Sequence, residues 1–264
     1  MDAAFVQETR ALTRRWFLHL KREFIGTFFG LFQPLVWLLL FGTMFSAAFK
    51  KNPLPDEFGS VSYLAFITAG IVVSTVMGSA IAGGIPFMFD KENGFLEKLL
   101  AAPIRRESLL LSRFLYVMTY STVQALLVLA LARILGVQVA AGVLGLPLIA
   151  LFILLLCAGF TLLSMMMAFL LDGHANFFMI LGFLTTPLFF VSNALVPIET
   201  MPLGFRIAAW LNPLTYGVLG IRAPILKGWS GSAWGDMGIG LLGLLVFDAL
   251  MLWLAVRVFK RHLE

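Results

Sequence analysis

One acidic side chain stands in the middle of a long apolar run. Asp248 lies in the sequence LLVFDAL at residues 244–250, near the centre of a segment long enough to cross a membrane. A charged carboxylate at that depth costs several kcal/mol unless it is paired, so it is first considered a functional group, for proton relay or substrate contact. The alternative is a protonated packing residue that hydrogen-bonds to Gln124 or is reached by Arg133. Because the neutral carboxyl is the cheaper state, we expect the packing role.

Small hydroxyl side chains in two other apolar segments form a second group of candidates. They could line a cavity through which a substrate passes. In membrane proteins, however, serine and threonine more often serve helix packing. The candidates are Ser74, Thr75 and Ser79 in one segment and Thr185, Thr186 and Ser192 in another.

The most polar interior segment, residues 90–108, contains a short amphipathic helix. Asn93-Gly94 is a turn signal and Pro103 a stop signal, and they predict about two turns of helix between them. The apolar stripe of this helix consists of Phe95, Leu96, Leu99 and Leu100, and its polar side chains are Glu92, Glu97 and Lys98. So short a helix cannot bury its stripe alone, so we expect a groove on a partner, with the charges setting the register. A helix on the membrane surface without a partner is the alternative.

Composition identifies the chain as an integral membrane protein. Of its 264 residues, 60% are hydrophobic and 12% are charged, and the mean hydropathy is +0.95. A soluble domain carries about a quarter charged residues, so there are too few polar groups here to cover a globule of this size. The same numbers exclude a disordered chain and a large soluble domain.

Six apolar segments predict an all-α fold with six transmembrane helices. They are residues 24–49, 61–89, 109–135, 143–171, 177–196 and 237–256. Gln33-Pro34 is expected to kink the first span, and Gly83, Gly84 and Pro86 to loosen the end of the second. Between spans five and six, four prolines interrupt residues 197–228. The apolar pieces between these prolines are too short to cross a bilayer, which predicts extracellular re-entrant helices.

Basic residues predict the orientation. Residues 3–23 form an amphipathic pattern with a basic face, typical of an interfacial helix on anionic lipid. A nucleic-acid-binding arm is the alternative, but no base-reading module accompanies it. Thirteen of the nineteen lysines and arginines fall in this segment, in residues 90–113 and in the C-terminal tail. The positive-inside rule places these regions, and both termini, in the cytoplasm. No internal repeat supports an inverted-repeat transporter.

Two segments resemble the signatures of a known family. Residues 89–104 (FDKENGFLEKLLAAPI) look like the cytoplasmic signature of type-two ABC export permeases, with Phe95 where many relatives have threonine. Residues 193–202 (NALVPIETMP), residues 211–216 (LNPLTY) and Arg222 resemble the late extracellular signature of that family. Both signatures lie where a six-span chain of this family carries them, and the resemblance covers essentially the whole chain.

The resemblance implies that residues 1–264 form one transmembrane permease domain of an ATP-driven exporter. Two copies would form the pore, and two separate ATPase subunits, which bind ATP and magnesium, would power it. This chain would bind no cofactor or metal and would not be an enzyme, and it carries no G-x-x-x-x-G-K-[ST] phosphate loop. The substrate would be amphipathic: a lipid-linked saccharide, a lipid or a hydrophobic drug. The location would be the bacterial inner (plasma) membrane.

The resemblance also implies roles for individual residues. Segment 92–103 would be the coupling helix seated in the ATPase, and its residues would be Glu92, Gly94, Phe95, Leu96, Glu97, Leu99, Leu100 and Pro103. Residues 197–228 would close the exit, with a gate formed by Asn212, Pro213, Tyr216 and Arg222. Asn212-Pro213 is a well-capped helix start, and Tyr216 suits the membrane interface. Purely architectural capping is the alternative for the first three.

Two other classes of function stay open. A proton-coupled secondary transporter centred on Asp248 would need no ATPase. An intramembrane enzyme would need a catalytic dyad or metal ligands within the spans, whereas His19, His174 and His262 all fall at span ends. The single cysteine, Cys157, fits a small buried hydrophobic residue.

Overall fold

A computed structural model describes residues 3–22, 24–49, 63–101 and 105–263. In this part of the chain the fold is all-helical, with no strand. It also contains one 3-10 turn, Ile198–Thr200. The α-helices are α1 Ala3–Arg22, α2 Phe24–Phe49, α3 Tyr63–Ala82, α4 Ile85–Glu92, α5 Phe95–Ala101, α6 Arg106–Ile134, α7 Gly145–Leu170, α8 His174–Val191, α9 Leu203–Leu211, α10 Pro213–Leu226 and α11 Gly231–Leu263.

Five helical stretches of the described chain are long and apolar enough to cross a membrane. They are Tyr63–Glu92, Glu107–Ile134, Gly145–Leu170, His174–Val191 and Gly231–Phe259. Helix α2 runs without interruption through Pro34, and its shorter apolar stretch is Phe28–Met44. The chain is therefore a multi-span membrane protein, and the sixth span stays a prediction.

Helices α3, α7, α10 and α11 form the centre of the molecule. Helix α10 packs against the other three, and α3 is the most deeply buried of the candidate spans. Phe66 of α3, Phe160 of α7 and Leu214 of α10 are fully buried. Small residues let the backbones of these helices approach closely. At Gly240 of α11, for example, an added methyl group would lie only 2.7 Å from the carbonyl oxygen of Tyr216.

A break separates α3 from α4 at Gly83 and Gly84, where the sequence predicts loosening. The backbone groups freed by the break find side-chain partners on neighbouring helices. The N–H of Gly84 donates to Ser164 Oγ (3.0 Å), and the carbonyl of Gly83 accepts from Arg113 Nε (2.8 Å). Helix α4 then begins with Pro86 in its first turn, where proline needs no intrahelical donor.

The proline-interrupted segment 197–228 forms the 3-10 turn and two short helices. Helix α10 has 14 residues, so it is about 21 Å long, which is less than the roughly 30 Å hydrocarbon core of a bilayer. Its length fits the predicted re-entrant arrangement. Residues 50–60, between the first two predicted spans, and Pro103 lie outside the described residues.

Candidate functional site

Helix α5 follows α4 through the tight turn that Asn93-Gly94 predicts. The N–H of Asn93 donates to Phe89 and that of Gly94 to Lys91. Gly94 has φ +65°, a left-handed conformation that favours glycine. Helix α5 has seven described residues, Phe95–Ala101, which is about the two turns that the sequence predicts. Glu92 belongs instead to the last turn of α4.

The apolar stripe of α5 is divided between the interior and the surface of the chain. Leu96 is only 7% exposed and Leu99 packs against the hydrophobic core. Phe95 is 37% exposed and Glu97 is exposed. The prediction that the whole stripe is free for a partner is therefore wrong for Leu96 and Leu99, because the chain's own core covers them. Leu100 lies in α5, but its side chain is outside the described part.

Two arginines and two aromatic rings connect α1 to α5 and α6. The guanidinium carbon of Arg15 lies 4.6 Å from the ring centroid of Phe95 and 4.8 Å from that of Trp16. Arg113 of α6 lies 4.4 Å from the same Trp16 ring, and Trp16 is 4% exposed. These are cation–π geometries. We call Arg15, Trp16, Phe95 and Arg113 the arginine–aromatic cluster; it fixes the first residue of α5.

Helix α1 is held by protein contacts along most of its length. Glu8 Oε2 accepts hydrogen bonds from Ser108 Oγ (2.9 Å) and from the backbone N–H of Arg105 (3.2 Å), at the start of α6. A carboxylate at a helix N-terminus is favourable because it meets unpaired N–H groups and the positive end of the helix dipole. The predicted interfacial helix is therefore also a packing partner of α6.

Lys91 and Glu92 join the end of α4 to the turn between α7 and α8. Lys91 Nζ donates to the carbonyl oxygens of Phe169 (3.2 Å) and Leu171 (3.0 Å), at the end of α7. Glu92 Oε1 accepts the backbone N–H of His174 (2.7 Å), and His174 Nδ1 lies 3.0 Å from each carboxylate oxygen. The segment that leads into α5 is thus attached to two candidate spans.

A cavity of about 580 Å³ lies between α2, α3, α6 and α8. Three of the predicted hydroxyl candidates, Ser74, Thr75 and Ser79, line it from α3. Gln33 of α2 and Gln124 of α6 contribute amide groups to the same wall. The cavity has the size of a small-molecule binding site.

A second cavity of about 440 Å³, lined by α3 and α8, lies beside the first. Thr185 and Thr186 line it, and Phe189 and Phe190 are common to both cavities. Five of the six hydroxyl candidates therefore border these two cavities. Ser192 is instead buried, and its hydroxyl donates to the carbonyl of Phe189 (2.7 Å).

Asn212 and Pro213 begin helix α10 as the sequence predicts. Asn212 Oδ1 accepts the N–H of Leu214 (3.0 Å), which is an N-cap hydrogen bond, and Pro213 is the first helical residue. Asn212 Nδ2 donates to the carbonyl of Leu188 (2.6 Å) and so ties α10 to α8.

Tyr216 and Arg222 make further ties from α10. Tyr216 donates its hydroxyl to the carbonyl of Trp210 on α9 (2.6 Å). Arg222 is 5% exposed; its Nη2 donates to the carbonyl of Asn193 (2.8 Å), and its guanidinium carbon lies 3.6 Å from the ring centroid of Phe66. These contacts fit an architectural role, and the exit gate stays a prediction.

Asp248 lies on α11 against the backbone of α7. A side chain added to Gly159 would overlap Asp248 Oδ1, which has no hydrogen-bond partner among the described residues. The predicted pairing with Gln124 is wrong, because Gln124 Oε1 also has no partner among the described residues and its amide nitrogen donates to the carbonyl of Gly30 on α2 (2.8 Å). Arg133, the other suggested partner, is exposed in the last turn of α6.

Sequence reasoning missed the arginine–aromatic cluster and the contact of Glu92 with His174. The latter two residues are 82 positions apart, so no local spacing connects them. Arg113 did carry a signal, because it follows the apolar residues LLL at 109–111 and Ser112. A cation in a membrane segment is rare and needs a partner.

Comparisons with known proteins agree over nearly the whole chain. A family model described as "ABC-2 type transporter" matches residues 7–226. A "putative transport permease ycf38" of Porphyra purpurea is 33% identical over 269 residues, which cover 98% of this chain and 91% of that protein. Its counterpart in Cyanophora paradoxa is 36% identical over 220 residues, covering 83% and 74%. "Nodulation protein J" of Rhizobium leguminosarum bv. trifolii is 28% identical over 222 residues, covering 83% and 80%.

Proposed function

Because this chain belongs to the ABC-2 type transporter family, whose members are membrane subunits that work with ABC ATPases, we propose that it is the membrane half of an exporter. Two copies of the chain, with two separate ATPase subunits, move an amphipathic substrate out of the cytoplasm or the inner leaflet. ATP and magnesium bind to the ATPase subunits. The proposed location is a bacterial inner membrane with both termini in the cytoplasm.

The observation that carries the proposal is the surface of α5. Glu97, Lys98 and Phe95 are exposed, while Leu96 anchors the opposite face in the core. A short helix fixed on one face and charged on the other suits docking to a partner protein, since the charges set the register. The arginine–aromatic cluster supports this role because it keeps the first turn of α5 in place.

The contacts around α4 offer a route by which movement of α5 reaches the cavities. Helix α4 is joined to the start of α8 by Glu92 and to the end of α7 by Lys91. Helix α8 carries Thr185 and Phe190 on the cavity walls. When the ATPase subunits close, displacement of α5 would therefore shift α8 relative to α3 and change the cavities.

The test is the substitution Glu97→Ala, alone and with Lys98→Ala, since both side chains are exposed and lie outside the arginine–aromatic cluster. Each change removes an exposed contact without opening the core, so we expect ATPase binding about three- to tenfold weaker and transport reduced in parallel. Binding is measured by pull-down of the co-expressed ATPase subunit, and transport in the same membranes.

Glu199→Ala is the matched control, because Glu199 is an exposed acid on the 3-10 turn, outside α5. It should leave ATPase binding unchanged. Wild-type binding and transport in both α5 variants would contradict the coupling role of this helix.

A further inference from the structure

The larger cavity has an aromatic wall. Trp37 and Phe41 of α2 stack with ring centroids 5.0 Å apart and an interplanar angle of 12°. Phe190 of α8 faces the same space, as does Tyr120 of α6. At about 580 Å³ the cavity could hold much of an amphiphile with a compact head group. The aromatic rings supply the apolar contact that an alkyl chain requires.

Helix α3 contributes hydrogen-bond acceptors to the same cavity. Ser74 Oγ (2.9 Å) and Thr75 Oγ1 (2.6 Å) both donate to the carbonyl of Ile71, and Ser79 Oγ lies 3.1 Å from that of Thr75. Once their protons are used inside the helix, Ser74 and Thr75 have only lone pairs left. Ser79 Oγ also lies 2.6 Å from Ser121 Oγ, and that contact still leaves it at least one lone pair. Gln124 contributes another unpaired acceptor. Its Nε2 donates to the carbonyl of Gly30, and its Oε1 has no partner among the described residues.

The charge of the lining residues limits the class of ligand that the cavity can bind. Among the described residues that line the cavity there is no carboxylate, ammonium, guanidinium or imidazole. An anion would find no cation, only neutral donors such as the Gln33 amide and the Tyr120 hydroxyl, and a cation would lose its hydration without gaining a carboxylate. Both cost free energy in a water-poor site. An uncharged head group that donates hydrogen bonds meets the acceptors without that cost.

We propose that this cavity binds an uncharged amphiphile whose head group donates hydroxyl hydrogen bonds to Ser74, Thr75 and Ser79, with its alkyl chain against Trp37 and Phe190. As a statement about binding it depends only on the cavity. As a statement about the transported substrate it rests on the proposed function.

The test uses the full chain in lipid nanodiscs and a dodecyl glucoside that carries a photoreactive diazirine in its alkyl chain. We expect cross-links to peptides of α2 and α8, because Trp37 and Phe190 lie beside the alkyl chain. Unlabelled dodecyl glucoside should compete at least about tenfold better than dodecyl phosphate or dodecyltrimethylammonium, because the three probes differ only in the head group. Equal competition by either charged probe would overturn the proposed ligand class.

The same threonine-to-valine substitution, made at two positions, tests where the ligand binds. Thr75→Val removes a cavity hydroxyl, and Thr119→Val removes an exposed one that donates to its own helix in the same way, to the carbonyl of Leu115 (2.8 Å). Because Thr75→Val removes one hydrogen bond to the ligand, we expect its labelling to be about three- to tenfold weaker. Labelling of Thr119→Val should equal that of the unsubstituted chain. Equal labelling of the two variants, or cross-links confined to the outer face of α11, would overturn the site.

A separate transport assay with the ATPase subunit distinguishes the two proposals. Specific labelling without ATP-dependent movement of the glucoside or of any other amphiphile tested would leave the binding site in place and contradict the proposed function. ATP-dependent export of other amphiphiles without specific labelling would contradict the proposed binding site and leave the proposed function in place.

Discussion

Arg113 and Arg222 are two buried cations held in the same way, by backbone carbonyls and an aromatic ring. Arg113 donates to Gly83 at the break after α3 and lies over Trp16. Arg222 donates to Asn193 in the turn after α8 and lies over Phe66. Guanidinium suits both sites, because it has five donors in a plane and is weakly hydrated. At each site it satisfies carbonyls that a helix end leaves unpaired.

Replacing Arg222 should destabilise the protein. Arg222→Met keeps much of the volume but leaves the carbonyl of Asn193 (2.8 Å) without its donor, and we expect a loss of about 2–4 kcal/mol. Arg222→Lys should recover only part of this, because an ammonium cannot reach the same carbonyls in one plane. Thermal unfolding of the purified chain in detergent measures the effect.

Arg206→Met is the control for that series. Arg206 is exposed and also donates to a backbone carbonyl, that of Glu199 (2.9 Å). We expect a change within about 0.5 kcal/mol, as for other surface positions. Similar losses at both positions would mean that burial is not what makes Arg222 important.

Sequence patterns predict the helices well and their contacts poorly. Hydropathy alone places the end of the fourth span at residue 171, and α7 ends at Leu170. Turn chemistry predicts the Asn93-Gly94 turn and the cap at Asn212. The division of the α5 stripe is not predictable from this pattern, because amphipathicity shows that a helix has an apolar face and not what covers it.

Contacts between distant helices are beyond these patterns for a related reason. Asp248 is an outlier in any apolar segment, so its position in the sequence marks it. Its neighbour is decided by how α11 packs on α7. The notch at Gly159 that receives it consists of a missing side chain, and a missing side chain leaves no charge or hydrogen-bonding pattern in the sequence.

At the scale of helix pairs, the fit of α7 against α11 predicts the effect of a single methyl group. In Gly159→Ala the new Cβ would overlap Asp248 Oδ1 and the ring of Phe247. We expect a loss of about 1–3 kcal/mol from overpacking. Gly182→Ala on α8, where nothing lies within 4 Å of the new methyl group, should be neutral or slightly stabilising. Equal melting temperatures for the two variants would contradict the close contact.

The junction between α4 and α8 predicts a transport defect. His174→Ala removes the imidazole that lies 3.0 Å from both oxygens of Glu92. We expect ATPase binding to stay normal and transport per ATP hydrolysed to fall about two- to fivefold, because α8 would follow α4 less closely. Both rates are measured in proteoliposomes with the ATPase subunit.

Asn176→Ala serves as the control, since Asn176 donates to Asp172 (3.0 Å) in the same turn but does not contact α4 through that bond. A defect of equal size in Asn176→Ala would attribute the effect to the turn and not to the junction.

The candidate spans differ widely in how much of their surface the chain itself covers. In the most apolar 18-residue window of each stretch, 78% of the window is buried in Tyr63–Glu92 and only 11% in His174–Val191. Phe183 of α8 is 80% exposed. In a membrane such a face meets lipid or another protein. Under the proposed function the second copy of the chain covers part of it, so the cavities beside α8 lie near the contact between copies.

The proposed topology predicts which positions react with a membrane-impermeant maleimide. Glu199→Cys and Ser232→Cys should be labelled from the outside, because residues 197–228 would not cross the bilayer. Glu97→Cys should be labelled only after the membrane is opened. All three side chains are exposed. Opposite-side labelling of Glu199→Cys and Ser232→Cys would refute the re-entrant arrangement.

The two faces of α5 also bear on how such a permease evolves. Leu96 and Leu99 are needed by the fold, whereas Glu97 and Lys98 project outward and cost the fold little when they change. A duplicated copy of the gene could therefore acquire a different ATPase through a few surface substitutions, while remaining stable at every step. A cell that holds several such permeases could keep their ATPases from exchanging by charge differences on this one helical turn, without altering any residue of the cavities.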